Sequence, residues 1–331
     1  MKKNSWHNKT VFVTGAGGFI GSHLVEALVR EGAHVKALVR YNSTSHWGWL
    51  ESLPQDVMDN VEVCLGDVRD SGLIREFVRG CSYGFHLAAL ISIPYSYQAP
   101  RSYVETNITG TLNVLEACLT QGIERLVCTS TSEVYGTAQY VPIDEAHPLQ
   151  GQSPYSASKI GADQLIESFY RAYNLPVVTL RPFNTYGPRQ SMRAIIPNLI
   201  QQALAGDVVR VGNIVPTRDF NFVTDTVEGF LLAAGNSNAV GQTINIGSGA
   251  EISIADLIAM LADLLGKSLA VHQEEERLRP DNSEVFRLCA NIDKAKTLLR
   301  YTPQVSLKNG LEETIQWFAK HQSAKPTLYQ V

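Results

Sequence analysis

Nowhere in the 331 residues does an apolar run approach the length of a membrane span, so no transmembrane helix is expected. The first nine residues are polar and lack the apolar stretch of a secretory signal; the expectation is a cytoplasmic protein. Cysteine is sparse. Cys64, Cys81, Cys118, Cys128 and Cys289 are scattered, with no CxxC pair and no His-rich neighbour. That spacing argues against a metal centre and for reduced thiols that behave as small apolar residues. There is no surplus of positive charge either. The net charge of −4 gives no general pull toward nucleic acid or an anionic membrane, so any anionic ligand must be held by local arginines and backbone amides. With 18% charged and 44% hydrophobic residues, and no repeat or low-complexity segment, the chain reads as globular and long enough for two joined lobes.

Short apolar runs alternate with amphipathic ones through the first half. Residues 10–14, 34–39, 61–65, 84–87, 125–129 and 177–180 read as strands, and 19–30, 73–79, 103–121 and 154–173 as helices. Strands at this spacing predict an α/β fold: a doubly wound parallel sheet with helices on both faces. Ser153-Pro154 is a helix start, placing Tyr155 in the first turn and Lys159 one turn later at the carboxyl edge of the sheet, where open α/β sheets bind ligands. Beyond Arg181-Pro182 the pattern loosens: 184–190 reads as loop, 192–205, 225–234, 254–265 and 308–319 as helices, and 208–211 and 242–246 as strands. From about Ser323 the chain reads as a loose tail.

Thr14-Gly15-Ala16-Gly17-Gly18-Phe19-Ile20-Gly21 follows the first strand and opens the first helix. Gly15, Gly18 and Gly21 are spaced GxxGxxG, which clears side chains from a helix N-terminus and suits a dinucleotide pyrophosphate. The end of the second strand carries Arg40 and no acid, and an arginine there pairs with a 2′-phosphate; this favours NADP over NAD as the cofactor. Asp67, in Gly66-Asp67-Val68, either meets the adenine amino group or is a turn aspartate.

The chemistry concentrates in Thr129–Gly136 and Tyr155–Lys159. A phenol and an ammonium four residues apart share one helix face, and the positive charge favours phenolate, a base for an alcohol near neutral pH. Oxidation of an alcohol needs only that pair. Glu133 adds a second, separate base and implies chemistry beyond oxidation.

These residues resemble the extended short-chain dehydrogenase/reductase superfamily. The matching stretches are TGAGGFIG at 14–21, GDV at 66–68, HLAA at 86–89, NITGTLNVLEAC at 107–118, STSEVYG at 130–136, YSASK at 155–159 and RPFNTYGPR at 181–189. Within it, residues 37–43, 91–97, 130–143 and 148–165 look most like nucleoside-diphosphate N-acetylglucosamine 4,6-dehydratases, including the legionaminic-acid-pathway type.

The resemblance implies a Rossmann domain over 1–183, completed by about 219–249. A smaller α/β sugar-nucleotide lobe is built from 184–218 and 250–322, and a homodimer forms through helices 103–121 and 154–173. It further implies that Phe19, Ile20, Val68, Leu87, Ala88, Ala89 and Asn107 line the cofactor site. Thr131 would orient the sugar O4 beside Tyr155, and Glu133 would remove the C5 proton. Ser132 stands where similar dehydratases often carry Asp, so either Ser132 or Glu133 supplies the acid at C6. The Ser-Glu pair also resembles UDP-glucuronate decarboxylases, the chief rival reading. A 4-epimerase and a redox-sensing NAD(P)-binding protein are further alternatives. On the substrate side, Asn184, Arg218 and Arg279 stand where similar enzymes hold the nucleotide and diphosphate, with Arg189 and Arg193 as other candidates. Tyr95 and Ser96 either touch the sugar or shape their loop.

Overall fold

The computed structural model describes residues 6–277 and 284–321. Seven strands form one parallel sheet: β1 (Thr10–Thr14), β2 (His34–Arg40), β3 (Val61–Gly66), β4 (Tyr83–His86), β5 (Arg125–Thr129), β6 (Val177–Pro182) and a late strand, Thr243–Ile246. In space the order is β3-β2-β1-β4-β5-β6 followed by the late strand, every neighbouring pair being parallel. This is a Rossmann arrangement, with its switch point between β1 and β4.

Alternation along the strands builds two cores. Val11 and Val13 of β1, Val127 of β5 and Val178 of β6 enter one face, packed with Leu24, Leu28 and Phe230. Phe12, Leu126, Cys128 and Val177 enter the other, with Ile74, Phe77, Leu115 and Ile166. A strand buried on both sides has no solvent face, hence the continuous apolar runs in the sequence.

The crossovers are α1 (Phe19–Arg30), α2 (Gln55–Met58), α3 (Ser71–Val78), α4 (Ile93–Gln98), α5 (Pro100–Tyr103), α6 (Gly110–Gln121) and α7 (Pro154–Tyr173). The helix expected over 103–121 is interrupted: Val104–Thr109 is a π turn between α5 and α6. The wider turn accommodates Asn107, whose side chain leaves the helix to bond elsewhere, as π turns at functional positions often do. Helix α7 starts as expected. Ser153 Oγ accepts from Ser156 N (3.1 Å), Ser156 Oγ accepts from Ser153 N (2.9 Å), and Pro154 opens the first turn.

Past β6 the chain builds short paired strands. The segment expected to be loop, 184–190, begins with β7 (Asn184–Tyr186), which pairs in parallel with β10 (Phe220–Phe222); a partner 36 positions away carries no local signal. Between them lie α8 (Ile195–Ala205), β8 (Val208–Val211) and β9 (Thr217–Arg218). Helix α9 (Val223–Gly235) then leads to β11, the late strand Thr243–Ile246, which returns to the large sheet beside β6. The remainder comprises β12 (Ile252–Ser253), α10 (Ile254–Leu265), β13 (Ala270–Gln273), β14 (Arg287–Leu288), α11 (Asp293–Leu299) and α12 (Leu307–Lys320). Strand β13 pairs with β8, and both β12 and β14 flank β9. Among the described residues no helix is long and apolar enough to cross a membrane.

Candidate active site

The glycine turn between β1 and α1 lies at the switch point. Gly15 has φ +70°, and a Cβ there would come within 2.8 Å of Ala88 N and 2.9 Å of Leu87 C, so only glycine lets the loop after β4 approach. A Cβ on Gly21 would overlap the carbonyl oxygen of Gly15. Gly18, exposed at the turn, is the N-cap of α1; no side chain caps it and no acid occupies the first helical turn. Phe19 and Ile20 follow, half-buried. Bare amides at the positive end of a helix, in a turn kept clear of Cβ atoms, fit a pyrophosphate.

Thr14 holds the second wall of this site. Its Oγ1 accepts from Leu87 N (3.2 Å) and Ala88 N (3.1 Å) and bonds His86 Nδ1 (2.8 Å), while His86 Nε2 meets Thr111 Oγ1 (3.0 Å). Asn107 continues the wall, accepting from Leu90 N (2.8 Å) and donating to Leu90 O and Ser158 Oγ (both 2.9 Å). It thereby fixes the loop that carries Leu87, Ala88 and Ala89 to α7.

Burial, aided by the Lys159 charge, pushes His86 down to about 3, and burial pushes His23 down to about 4. Both fold as neutral imidazoles with values below that of the unfolded chain. The stability cost therefore begins as pH falls through about 6.5 and grows until the folded values are reached. The wild type should lose stability on acidification, and His86→Gln should remove up to about 1.4 kcal/mol per pH unit of that slope. Urea midpoints measured from neutral pH to about pH 4.5 check this; equal slopes would mean that His86 is not held neutral.

Arg40 is exposed at the close of β2. Asp67 is gripped by Arg69 through Nε (3.0 Å), Nη2 (2.8 Å) and the backbone N–H (2.9 Å). That grip holds the Asp67 carboxyl below its usual range against burial, with a smaller contribution from Arg40. Val68 is buried beneath, its carbonyl bonded by Asn113 Nδ2 (2.9 Å).

Sequence reasoning missed a strap that crosses the glycine turn. Trp49 N donates to Gly17 O (3.0 Å), Gly48 sits at φ +65° against the Gly17 backbone, and Trp49 meets Trp317 of α12 edge-on at 5.2 Å. The available signal was Gly48 between two tryptophans.

The candidate catalytic residues lie where β5 ends against α7. Lys159 Nζ donates to Thr129 O (2.6 Å), and the Thr131 hydroxyl is close enough to act on the Tyr155 phenol. Tyr155 and Lys159 are both buried. Phenolate at neutral pH is not what this structure favours. Burial holds the Tyr155 phenol well above its usual range; the nearby Thr131 hydroxyl works against that, while the neighbouring Glu133 charge adds to it. Burial also lowers Lys159, opposed by Asp163. Tyr103, another missed residue, stands edge-on to Tyr155 at 6.3 Å and donates to Ser92 O (2.5 Å).

Glu133 lies in a one-turn 3₁₀ helix, Ser132–Tyr135, capped by Thr131 Oγ1, which accepts from Glu133 N (3.2 Å). It is half-buried and close enough to act on the Tyr155 phenol. Ser132 is buried.

The substrate-side candidates separate. Tyr95 is partly exposed, but Ser96 is fully buried with its hydroxyl on Ile93 O (2.6 Å); it shapes α4 and presents no surface to a sugar. Asn184 Oδ1 is buried without a hydrogen-bond partner, an acceptor suited to a ligand N–H or O–H. Arg218 is buried, with Nη1 on Thr217 O (2.9 Å) and Nη2 3.5 Å from Glu284 Oε1. Arg189 is committed to Glu26 of α1 (2.7 Å), and Arg193 is exposed with its charge reaching Tyr103. Arg279 lies outside the described residues. Among the described residues no three His, Cys, Asp or Glu side chains cluster as metal ligands.

Known proteins are similar to this chain in sequence and fold. The chain is 33% identical over 322 residues to a UDP-N-acetyl-alpha-D-glucosaminuronate decarboxylase of Bacillus cytotoxicus, covering 94% of this chain and 98% of that one. It is 32% identical over 320 residues to a dTDP-glucose 4,6-dehydratase of an Actinoplanes species, covering 95% and 98%. Its fold superposes, with a TM-score of 0.87 and 31% identity over 94% of this chain and 99% of the other, on a UDP-glucuronic acid 4-epimerase variant from Bacillus cereus. That structure is a complex with UDP-4-deoxy-4-fluoro-glucuronic acid and NAD. Residues 12–314 match the GDP-mannose 4,6 dehydratase family model, and the chain belongs to that family of extended short-chain dehydrogenase/reductase enzymes acting on nucleotide sugars.

Proposed function

We propose that the protein is a hydro-lyase that converts a nucleotide sugar, UDP-N-acetylglucosamine first among candidates, to its 4-keto-6-deoxy derivative. The observation that carries this reading is Glu133: a carboxylate on its own turn, beside the Tyr155 phenol, is a second proton-transfer group that oxidation alone does not need. Gly15, Gly18, Gly21, Phe19, Ile20, Asp67, Val68, Leu87–Ala89 and Asn107 would hold a dinucleotide, and the exposed Arg40 favours NADP over NAD. When bound, that cofactor would supply a hydride acceptor and store, and a positive charge while oxidised.

Tyr155 would take the O4 proton as phenolate, a form that burial alone disfavours and that the positive charge of the bound oxidised cofactor, with Lys159 one turn below, would favour, while Thr131 orients the oxygen. The resulting ketone acidifies C5–H. Glu133 removes that proton and, because Ser132 is a poor acid, delivers it to the departing C6 hydroxyl, which leaves as water. As hydride adds at C6, C5 would regain a proton, supplied by Tyr155, which returns to phenolate. We infer that Asn184 and Arg218 receive the nucleotide diphosphate in the lobe formed by 184–218 and 250–322, and that copies pair through α6 and α7. Phosphate would displace Glu284 from Arg218.

The decarboxylase reading rests on Ser132, since loss of carbon dioxide from a C5 carboxylate needs no acid at C6. Incubation with UDP- and GDP-N-acetylglucosamine in heavy water, followed by NMR, tests the proposal. Deuterium at C5 of a 6-deoxy-4-ketose is the expected result. Unchanged substrates, or carbon dioxide from a UDP-uronate instead, would overturn it.

A further inference from the structure

Tyr155 and Glu133 stand on separate elements, and a buried polar brace joins those elements. Two consecutive residues at the end of β5 tie to different turns of α7, Thr129 O to Lys159 (2.6 Å) and Ser130 Oγ to Asp163 Oδ2 (2.8 Å), and the Thr131 hydroxyl that follows lies close enough to act on the Tyr155 phenol. Asp163, two turns below Tyr155, also takes Nε (3.2 Å) and Nη2 (3.0 Å) of Arg181 on β6. The Arg181 guanidinium lies 5.0 Å from the Tyr135 ring centroid and donates through Nη1 to Tyr135 Oη (3.0 Å). Tyr135 donates in turn to Asn245 Oδ1 on β11 (2.7 Å). Tyr135 is the last residue of the 3₁₀ turn that carries Glu133.

That turn is weakly self-supported. Its backbone bonds, Val134 N to Thr131 O (3.4 Å) and Gly136 N to Glu133 O (3.3 Å), are long. A one-turn 3₁₀ helix has little stability of its own. The fully buried Val134 and Tyr135 hold it in place, with Gln150 N donating to Val134 O (2.8 Å). The Arg181–Asp163 pair is buried as well, and such pairs add little net stability over apolar packing. Their value here is geometric.

We propose that Tyr135 and Arg181 are positioning residues that set the Glu133 carboxylate relative to the Tyr155 phenol, so that proton transfer at C5 depends on them while oxidation at C4 does not. This rests on the dehydration reading above. Tyr155 is carried by α7 itself, whereas Tyr135 links the Glu133 turn through Arg181 to Asp163 of α7.

Tyr135→Phe removes both hydroxyl bonds and little volume. C4 oxidation, read as reduced-nicotinamide absorbance after mixing with UDP-N-acetylglucosamine, should stay within about threefold of wild type. Deuterium exchange at C5 should fall roughly tenfold to a hundredfold, the cost of a small misplacement. Both rates falling together, oxidation falling alone, or neither moving would overturn the inference. Should Tyr135→Phe not fold, Arg181→Lys, which keeps the charge and loses the fork, carries the same comparison. A wild type that forms no C5-labelled ketose sinks the dehydration reading instead, so the two failures are distinguishable.

Discussion

Glu133→Gln is expected to stop product formation while leaving the first oxidation intact. The amide fills the same volume and cannot take a proton, so the loss should be confined to the C5 step and amount to about 10²–10⁴-fold. Substrate added to the loaded variant should still raise the reduced-nicotinamide absorbance, which then persists because the stored hydride has no acceptor at C6. No deuterium should enter C5. Tyr155→Phe should fail one step earlier, with no absorbance change at all, because the O4 proton has no base. The pair of variants thus divides the reaction at the ketone. A Glu133→Gln enzyme that still exchanges C5–H would hand the role of base to another group. One that fails at oxidation would make Glu133 a partner of Tyr155, for which the charge it exerts on the phenol is the only present warrant.

Much of this site was legible because its parts are local. The glycine turn, the Ser153-Pro154 start of α7 and the four-residue spacing of Tyr155 and Lys159 are each written within a few residues, and backbone geometry makes them what they are. What escaped depends on partners far along the chain. Asn184 pairs with Phe220, Tyr135 with Asn245, and Trp49 with Gly17 and Trp317, and no periodicity encodes such pairings. Ser96 shows a different limit. A serine in the loop region after β4 is equally able to meet a sugar or its own helix, and only burial decides for the latter. The charge state of Tyr155 is a third case. A neighbouring ammonium suggests phenolate, but burial outweighs it, which burial-blind spacing cannot reveal. The family was readable from the motifs; the electrostatic balance among the candidate catalytic residues was not.

The glycine turn offers the second large effect, because two of its glycines are needed for different reasons. A Cβ on Gly21 would overlap the Gly15 carbonyl, backbone against backbone, with no flexible side chain to move aside. Gly21→Ala must therefore open the turn. It should cost about 1–3 kcal/mol of stability as an overpacking change, and it should weaken dinucleotide binding by two orders of magnitude or more, about 3 kcal/mol, as the α1 amides lose their aim. Gly18 differs. Its backbone is extended at φ −80° and ψ −179°, which any residue adopts, and a Cβ there would meet only Gly15 O, at 3.2 Å. Gly18→Ala should fold with near-wild-type stability and still lose cofactor affinity, because the added methyl projects from the exposed cap where the pyrophosphate must approach the amides. Calorimetric titration with NADP and NAD, set beside urea unfolding of the same variants, separates the two. Equal stability losses would mean that both glycines serve only the turn. Undiminished affinity in Gly18→Ala would mean that the pyrophosphate does not lie over the N-terminus of α1.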